Sequence, residues 1–597
     1  MSEVFLQLLR PVHGGYCLAH RDGQTYMVRF GLPGETVKAV PVAKKGKVIF
    51  AEVSEVLQAS EQRQVPVWAL GGPGGTGGAD LCHVKLPFQR QWKTQVLADC
   101  LRRLGGEEVY AQALATSGGE LSCQGVSSGR AGASDAGGKR GGGQLLAEDA
   151  PAVTGEVRSA GGADSAASGA CGEGADNASG EDGLGYRLRA DFEVSSAGRL
   201  AMTKFRGEEL VEVDSFPLAD PLISGSSLFG NPASWSEVFK PGGRIRAWAS
   251  ANGLRVWNGH ALFDESAREV AEKNVRLTVR GFGDYLVAPS GFWQAHRQAA
   301  RLLCEQVMAA ATSDDQQGNA ALAALGEEQG NSLSGGSGDA DANSDRRPAF
   351  GDRKWEEILE LYSGAGLFSR PLAKALDRGG RLSTLEGSKP AVKIARKNLS
   401  GVPGRLQIRA GRVDARALAD YADKMKAPPL VVMDPPRSGA GQKVMTALTH
   451  LDPERIIYVA CDPAALARDL KVAVSHGYQI TSLQAYDLFP HTHHLETVCL
   501  LTRQNVKEHL YVDVDMKDLK REKLPPKPTY KQIQAYVLEK YGLKVSPLYI
   551  ATLKDELGLE KRFSYEKEGM AAKNRPQCPK DKHDAIIKAF KHFKMIS

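Results

Sequence analysis

Apolar and polar residues alternate with a period of two through the first sixty residues. The runs are short, as in Thr25-Tyr26-Met27-Val28-Arg29-Phe30, Glu35-Thr36-Val37-Lys38-Ala39-Val40 and Lys47-Val48-Ile49-Phe50-Ala51-Glu52-Val53, and glycine-bearing turns separate them. This pattern predicts a small β-barrel over residues 1–60. Residues 61–116 read as a linker and the start of a central region, with a helix from Phe88 to Leu104. Residues 184–287 return to short strands, such as Tyr186 to Val194, and form a second β-rich region. From Trp355 the period switches between strand and helix. Ile358 to Tyr362, Leu382 to Leu385, Leu430 to Met433, Ile456 to Ala460 and Thr497 to Leu501 read as strands, and Leu367 to Leu376, Pro390 to Leu399 and Ala464 to Val474 as helices. The alternation predicts a doubly wound α/β domain over residues 288–505. In residues 506–597, Thr529 caps a helix to about Tyr541, and Ser546 with Pro547 opens another closed at Gly558, a pattern suggesting a helix-turn-helix.

Composition changes this picture in two places. Residues 117–183 and 312–352 are dominated by Gly, Ser, Ala, Asp and Asn, with too little apolar surface to offset the entropy of ordering, so both read as disordered insertions. Over all 597 residues, 42% apolar and 24% charged is an ordinary globular mixture, long enough for several domains. No run is long and apolar enough to span a bilayer, and no leader pattern follows Met1, so a cytoplasmic location is expected. Nine cysteines (17, 82, 100, 123, 171, 304, 461, 499 and 578) are scattered without a Cys-x-x-Cys pair, which points away from disulfides and structural zinc. The net charge of +6 is unevenly placed, because residues 506–597 carry twenty Lys and Arg against thirteen Asp and Glu. That tail is a candidate for touching phosphates, although a solvated lysine-rich surface gives the same count.

The candidate chemistry sits where predicted strands end. Cys461 follows the apolar run Ile456 to Ala460 and precedes Asp462-Pro463, an N-cap and first helical residue, so it meets a helix N-terminus that favours thiolate. A lone cysteine is otherwise a small buried apolar residue. Ser363-Gly364-Ala365-Gly366 is a tight turn after a strand, and Ser369 stands where a dinucleotide fingerprint needs its third glycine. Glu386 ends the next strand, where a carboxylate can accept both hydroxyls of a ribose, a combination that suits S-adenosylmethionine. Asp434-Pro435-Pro436-Arg437 ends another strand at the same edge. Among His491, His493, His494 and Glu496 the carboxylate is the more plausible chemical group, as a general base, because no cysteine partner stands near the histidines to complete a zinc site.

Together, Leu359 to Gly366, Asp434 to Gly439, Val459 to Asp469 and Phe489 to Glu496 closely resemble the RNA uracil-5-methyltransferase family, over residues 286–503. The leading barrel looks like the TRAM RNA-binding domain carried by many members that act on ribosomal RNA. The resemblance implies a Rossmann-like domain that binds S-adenosylmethionine, with Cys461 as nucleophile and Glu496 as base. It also implies that Gln294, Tyr362, Glu386 and Asp434 contact the cofactor. Two departures stand out. Gly71 to Val84, where many members hold an iron–sulfur cluster on four cysteines, keeps only Cys82, so no cluster is expected. Asp462 replaces the family's usual asparagine and adds a negative charge beside the thiolate. The implied reaction is methylation of carbon 5 of a uridine through a covalent cysteine adduct, with 23S ribosomal RNA as the expected partner. A transfer-RNA T-loop enzyme and a catalytically weak RNA-binding or folding factor are the alternatives.

Overall fold

Apart from Glu360, the runs at 358–361, 430–433 and 456–460 are apolar throughout because the sheet they form is covered on both faces. The computed structural model describes residues 3–126, 182–205, 207–230, 232–313, 350–422, 429–504, 529–557, 578–593 and 595–596. It divides into two units, Met1–Asn505 and Val506–Ser597. In the first, eight strands make one sheet, ordered Arg405–Ala410, Leu376–Glu386, Trp355–Leu361, Leu430–Met433, Arg455–Ala460, Glu496–Arg503, Tyr478–Asp487 and Cys123–Gly125. The first five are parallel. Glu496–Arg503 then runs antiparallel between Arg455–Ala460 and Tyr478–Asp487. One face packs Leu361, Met433 and Tyr458 into a core with Leu466 and Leu470. The other packs Ile358, Val432 and Val459 with Leu303 and Val307 of the helix Ala299–Thr312.

This sheet sets the site. Carboxyl ends of the parallel strands share one edge, and the amino end of the antiparallel strand joins them, with Ala460 opposite Thr497. The strand order reverses between Trp355–Leu361 and Leu430–Met433, the switch point at which open α/β sheets bind ligands.

The N-terminal strands Val4–Gln7, Arg10–Val12, Tyr16–Arg21, Gln24–Arg29, Thr36–Lys45 and Val48–Gln58 form one six-stranded sheet, with the first two strands at its ends. Six further strands between Arg189 and Phe263 form an antiparallel sheet around Phe192, Trp235 and Ile245. A hairpin, Val275–Val279 with Gly283–Val287, leads on to the eight-stranded sheet.

Several expectations need correction. In residues 61–116, expected as a linker and the start of a central region, Ala79, Leu81, Cys82 and Val84 are fully buried, and Trp68, Ala79 and Cys82 pack into the central core. The expected insertion 117–183 begins later, because Cys123–Gly125 adds a parallel edge strand to Tyr478–Asp487 and the Cys123 amide donates to Thr94 Oγ1 at 3.0 Å. Three residues with little apolar content can pair in this way because the backbone supplies the bonds. Residues 127–181 and 314–349 of the expected insertions lie outside the described residues. The helix expected from Leu367 to Leu376 is shorter, Ser369–Leu372 followed by a 3-10 turn Ala373–Ala375. Leu376 is already extended and opens the next strand. The helix expected from Phe88 to Leu104 is α-helical over Leu86–Cys100 and widens to a π-turn at Leu101–Gly105.

In the second unit Thr529 and Gln532 form a reciprocal capping box on the helix Tyr530–Tyr541, which ends at Gly542 in the left-handed region. The helix Pro547–Glu556 follows, and a third helix, Lys580–His592, was not expected. Ile533, Val537, Ile550, Leu553, Ile586 and Phe590 make their shared core. The expected stop at Gly558 lies outside the described residues. Among the described residues no helix is long and apolar enough to cross a membrane.

Candidate active site

The turn after Trp355–Leu361 is built from backbone that side chains disfavour. Gly364 and Gly366 have φ of 55° and 87°, and Tyr362, a bulky residue, holds φ 61°. The Tyr362 amide donates to the Leu385 carbonyl at 2.8 Å, which fixes that conformation against the neighbouring strand. Glu386 closes the turn from the other side. Its Oε2 accepts from the Gly364 amide at 3.0 Å and its Oε1 from the Ser388 amide at 2.6 Å. Each carboxylate oxygen has a second lone pair, so both remain able to accept from a ligand. Asn398 clamps the turn: its Nδ2 donates to the carbonyls of Ala365 at 2.8 Å and Leu286 at 2.9 Å. Behind the turn lies Glu360, which burial pushes up to about 8 and which accepts from Ser369 Oγ at 2.5 Å.

Asp434 ends its strand half-buried, and burial pushes its carboxyl up to about 7. The Pro435-Pro436-Arg437 turn that follows is pinned by Asp469, which accepts from the Ala440 amide at 2.7 Å, the Gly441 amide at 3.1 Å and the Tyr458 hydroxyl at 2.7 Å.

Cys461 stands at the end of a strand whose six residues are all buried. Asp462 caps the next helix, accepting from the Ala465 amide at 2.8 Å, and Pro463 is its first residue, as expected. The expectation that this helix end would favour thiolate is overturned. Burial first, then the Glu496 and Asp434 carboxylates, push the Cys461 thiol up to about 12, with Arg437 opposing and Asp462 adding to the rise. Glu496 is 2% exposed, and burial and Asp434 raise its carboxyl well above the usual range, again with Arg437 opposing. Cys461, Glu496, Asp434 and Arg437 therefore act on one another electrostatically, whereas Gln294 is neutral and buried in the irregular segment 288–298.

The loop that delivers Glu496 is held from far along the chain. Gln89 Oε1 accepts from the His491 amide at 2.7 Å, and Gln89 Nε2 donates to the Val84 carbonyl at 2.7 Å. Lys93 forms a buried ion pair with Asp487 and donates to the Phe489 carbonyl at 3.0 Å. The Tyr186 hydroxyl donates to the Pro490 carbonyl at 3.2 Å, and His493 Nδ1 meets Asp80 Oδ2 at 2.6 Å. His491, with φ 64°, has Nδ1 on Gln89 at 3.1 Å and Nε2 on the Asp182 carbonyl at 2.7 Å, so neither nitrogen is left to act as a base. His494 Nε2 faces Arg437 at 3.2 Å. The described residues contain no cluster of three or more metal-ligating side chains. Gln89, Lys93, Asp80 and Asn398 were not singled out from the sequence, and no spacing or motif marks them; Asp469 closes one of the motifs that carry the resemblance but was given no role of its own.

A family model described as tRNA (Uracil-5-)-methyltransferase matches residues 349–504. Over most of its length the chain is similar to uncharacterized RNA methyltransferases. One, from Streptomyces avermitilis, is 30% identical over 525 residues, covering 84% of this chain and 98% of that protein. Another, from Bifidobacterium longum, is 29% identical over 520 residues, covering 84% and 97%. Among solved structures, the tRNA (uracil-54, C5)-methyltransferase of Pyrococcus abyssi in complex with S-adenosyl-L-homocysteine aligns over 83% of this chain and all of that one. Its identity is 16% and its TM-score 0.48.

Proposed function

Because the chain belongs to the RNA uracil-5-methyltransferase family, whose members are S-adenosylmethionine-dependent RNA methyltransferases, we propose that it methylates carbon 5 of a uridine through a covalent Cys461 adduct. The observation that carries this reading is the sheet register. Pairing of Ala460 with Thr497 sets Cys461 and Glu496, distant in sequence, at one edge beside Asp434.

The cofactor fits the edge of the sheet: a left-handed glycine turn lets a ligand approach the backbone, and Glu386 keeps free lone pairs for ribose hydroxyls. Tyr362, Gln294 and Asp434, the other residues that the family resemblance implies, would complete its contacts. S-adenosylmethionine supplies the methyl group to carbon 5 once that carbon has become nucleophilic.

Cys461 creates the nucleophile. The thiol gives its proton to solvent, its sulfur bonds to carbon 6, and the electron pair of the 5,6 double bond passes into an enolate. After methylation Glu496 takes the proton from carbon 5, the carbon–sulfur bond breaks and the ring regains its double bond. Burial holds the thiol up at about 12, so its ionisation is disfavoured at neutral pH and the rate rises with pH; burial raises the Glu496 carboxyl as well. The target base must leave its stack to reach this edge, which favours a loop or a flipped nucleotide.

The N-terminal sheet, read as a TRAM-like module, supports 23S ribosomal RNA as substrate. The description of the matching family model favours transfer RNA as the second reading. Nucleoside mass spectrometry on ribosomal and transfer RNA from cells with and without the gene separates them. Loss of 5-methyluridine from 23S RNA is expected, and loss from transfer RNA alone establishes the second reading. The charge of residues 506–597 should add phosphate contacts, so deleting them flattens the salt dependence of RNA binding. An unchanged slope assigns the tail another role.

A further inference from the structure

A carboxylate next to the nucleophile needs a reason. An asparagine would cap the helix as well as Asp462 does, without placing a negative charge one residue from a thiol that must ionise. Asp462 divides its oxygens: Oδ1 caps the helix at the Ala465 amide, and Oδ2 meets Nε2 of His13 at 2.8 Å. His13 comes from the turn between Arg10–Val12 and Tyr16–Arg21 of the N-terminal sheet, 449 positions away in the chain.

That turn is fitted to its place. Gly14 and Gly15 take φ of 90° and 76°, and a Cβ on Gly15 would stand 2.2 Å from Asp80 Oδ2 and 3.3 Å from His493 Cβ. Asp80 in turn holds His493 in the loop that leads to Glu496. The turn therefore meets the nucleophile's helix through His13 and the base's loop through Gly15.

We propose that His13 is a positioning residue for methyl transfer, which offsets the Asp462 charge so that it does not oppose formation of the Cys461 thiolate, and which couples seating of the N-terminal sheet to the chemistry. The groups that bear on the pair are few. Asp462 faces His13 and Arg468 of its own helix, and its charge reaches Cys100 on the helix Leu86–Cys100. His13 faces the His493 ring at 6.4 Å between centroids. The thiol feels Glu496, Asp434 and Arg437 besides Asp462. Without His13 the Asp462 carboxylate is less compensated. Without the carboxylate, His13 has nothing to offset.

This proposal rests on Cys461 as nucleophile, and a Cys461→Ala control keeps the two apart, since an active Cys461→Ala protein overturns that reading whatever His13 does. The test is single-turnover methylation of a uridine-containing RNA by the full chain in His13→Ala, Asp462→Asn and the double variant. One pKa unit on the thiol is a tenfold change in thiolate. His13→Ala should therefore lower the rate about tenfold with KM for RNA within about twofold, while Asp462→Asn alone changes the rate less than about threefold. The double variant should regain most of the loss. His13→Gln, which keeps an N–H donor for the Asp462 carboxylate, should fall between wild type and His13→Ala, and it replaces the alanine variant if that one fails to fold. An equal loss from His13→Ala with and without Asp462→Asn, a change confined to KM, or no loss at all overturns the proposal.

Discussion

Glu386 reaches the Gly364 amide across 22 positions of the chain, whereas Gln89 reaches the His491 amide across 402 and Lys93 reaches Asp487 across 394. The cofactor edge is thus a local product of strand, turn and strand. The loop that delivers Glu496 is a tertiary product, shaped by a helix and an irregular segment from the first hundred residues. Local construction makes the first region robust to distant change. The second depends on the N-terminal third of the chain remaining docked, so damage far from the sheet edge should displace Glu496 while the cofactor still binds.

The sharpest way to break this contrast is Lys93→Met. It leaves Asp487 buried without its partner, which costs about 3–5 kcal/mol, and it frees the Phe489 carbonyl. Thermal denaturation should show the loss and methylation should fall at least about a hundredfold, while calorimetric binding of S-adenosylmethionine persists below the new melting point. Pairing it with Asp487→Leu should return stability but not full activity, because the contact to Phe489 stays lost. Equal loss of cofactor binding would show that the two regions are one.

The converse change is Glu386→Ala. It removes the acceptor for the Gly364 and Ser388 amides and, in the proposed role, for ribose hydroxyls, and it should weaken cofactor binding about 10–100-fold, worth about 1.4 kcal/mol per tenfold. Trapping of RNA by Cys461 should be unaffected at saturating cofactor. If RNA binding fails as well, the local region is supporting more than the cofactor.

A smaller effect concerns Asp434, on the boundary between the regions. Burial holds its carboxyl at about 7, against about 3.9 in an unfolded chain. Because the folded value is the higher, its contribution to stability is fully present below about 4 and is lost as pH rises through about 7. Asp434→Asn should raise the melting temperature without ligand by on the order of 2 °C at pH 8 and leave it unchanged at pH 4. A fall at pH 8 would mean that the ionised carboxylate is stabilised by a partner.

What could be read in the sequence follows the same division. The strand at Leu430–Met433 and the cap at Asp462-Pro463 were legible, since apolar runs, prolines and side-chain caps act over a few residues. Thr529 and Gly542 delimit the helix of the tail for the same reason. Edge strand Cys123–Gly125 was not, because its partner is supplied by the fold and its composition is that of the adjoining Gly- and Ser-rich stretch. Nor was the protonation of the site. The helix end at Cys461 can be read from Asp-Pro, but burial and the approach of Glu496 and Asp434, which outweigh it, arise only when the sheet assembles. Gln89 and Lys93 look like ordinary polar positions of an exposed helix until the loop at 488–495 closes over them.

The covalent adduct tests the assignment of nucleophile and base most directly. Glu496→Gln, incubated with S-adenosylmethionine and a uridine-containing target RNA, should accumulate a methylated protein–RNA species that runs as a slower band on a denaturing gel. Attack and methylation proceed there, while removal of the carbon 5 proton is slowed. Cys461→Ala should give no such band and no methyl transfer, although RNA and cofactor still bind. Normal turnover by Glu496→Gln, or an adduct that survives Cys461→Ala, would contradict the account.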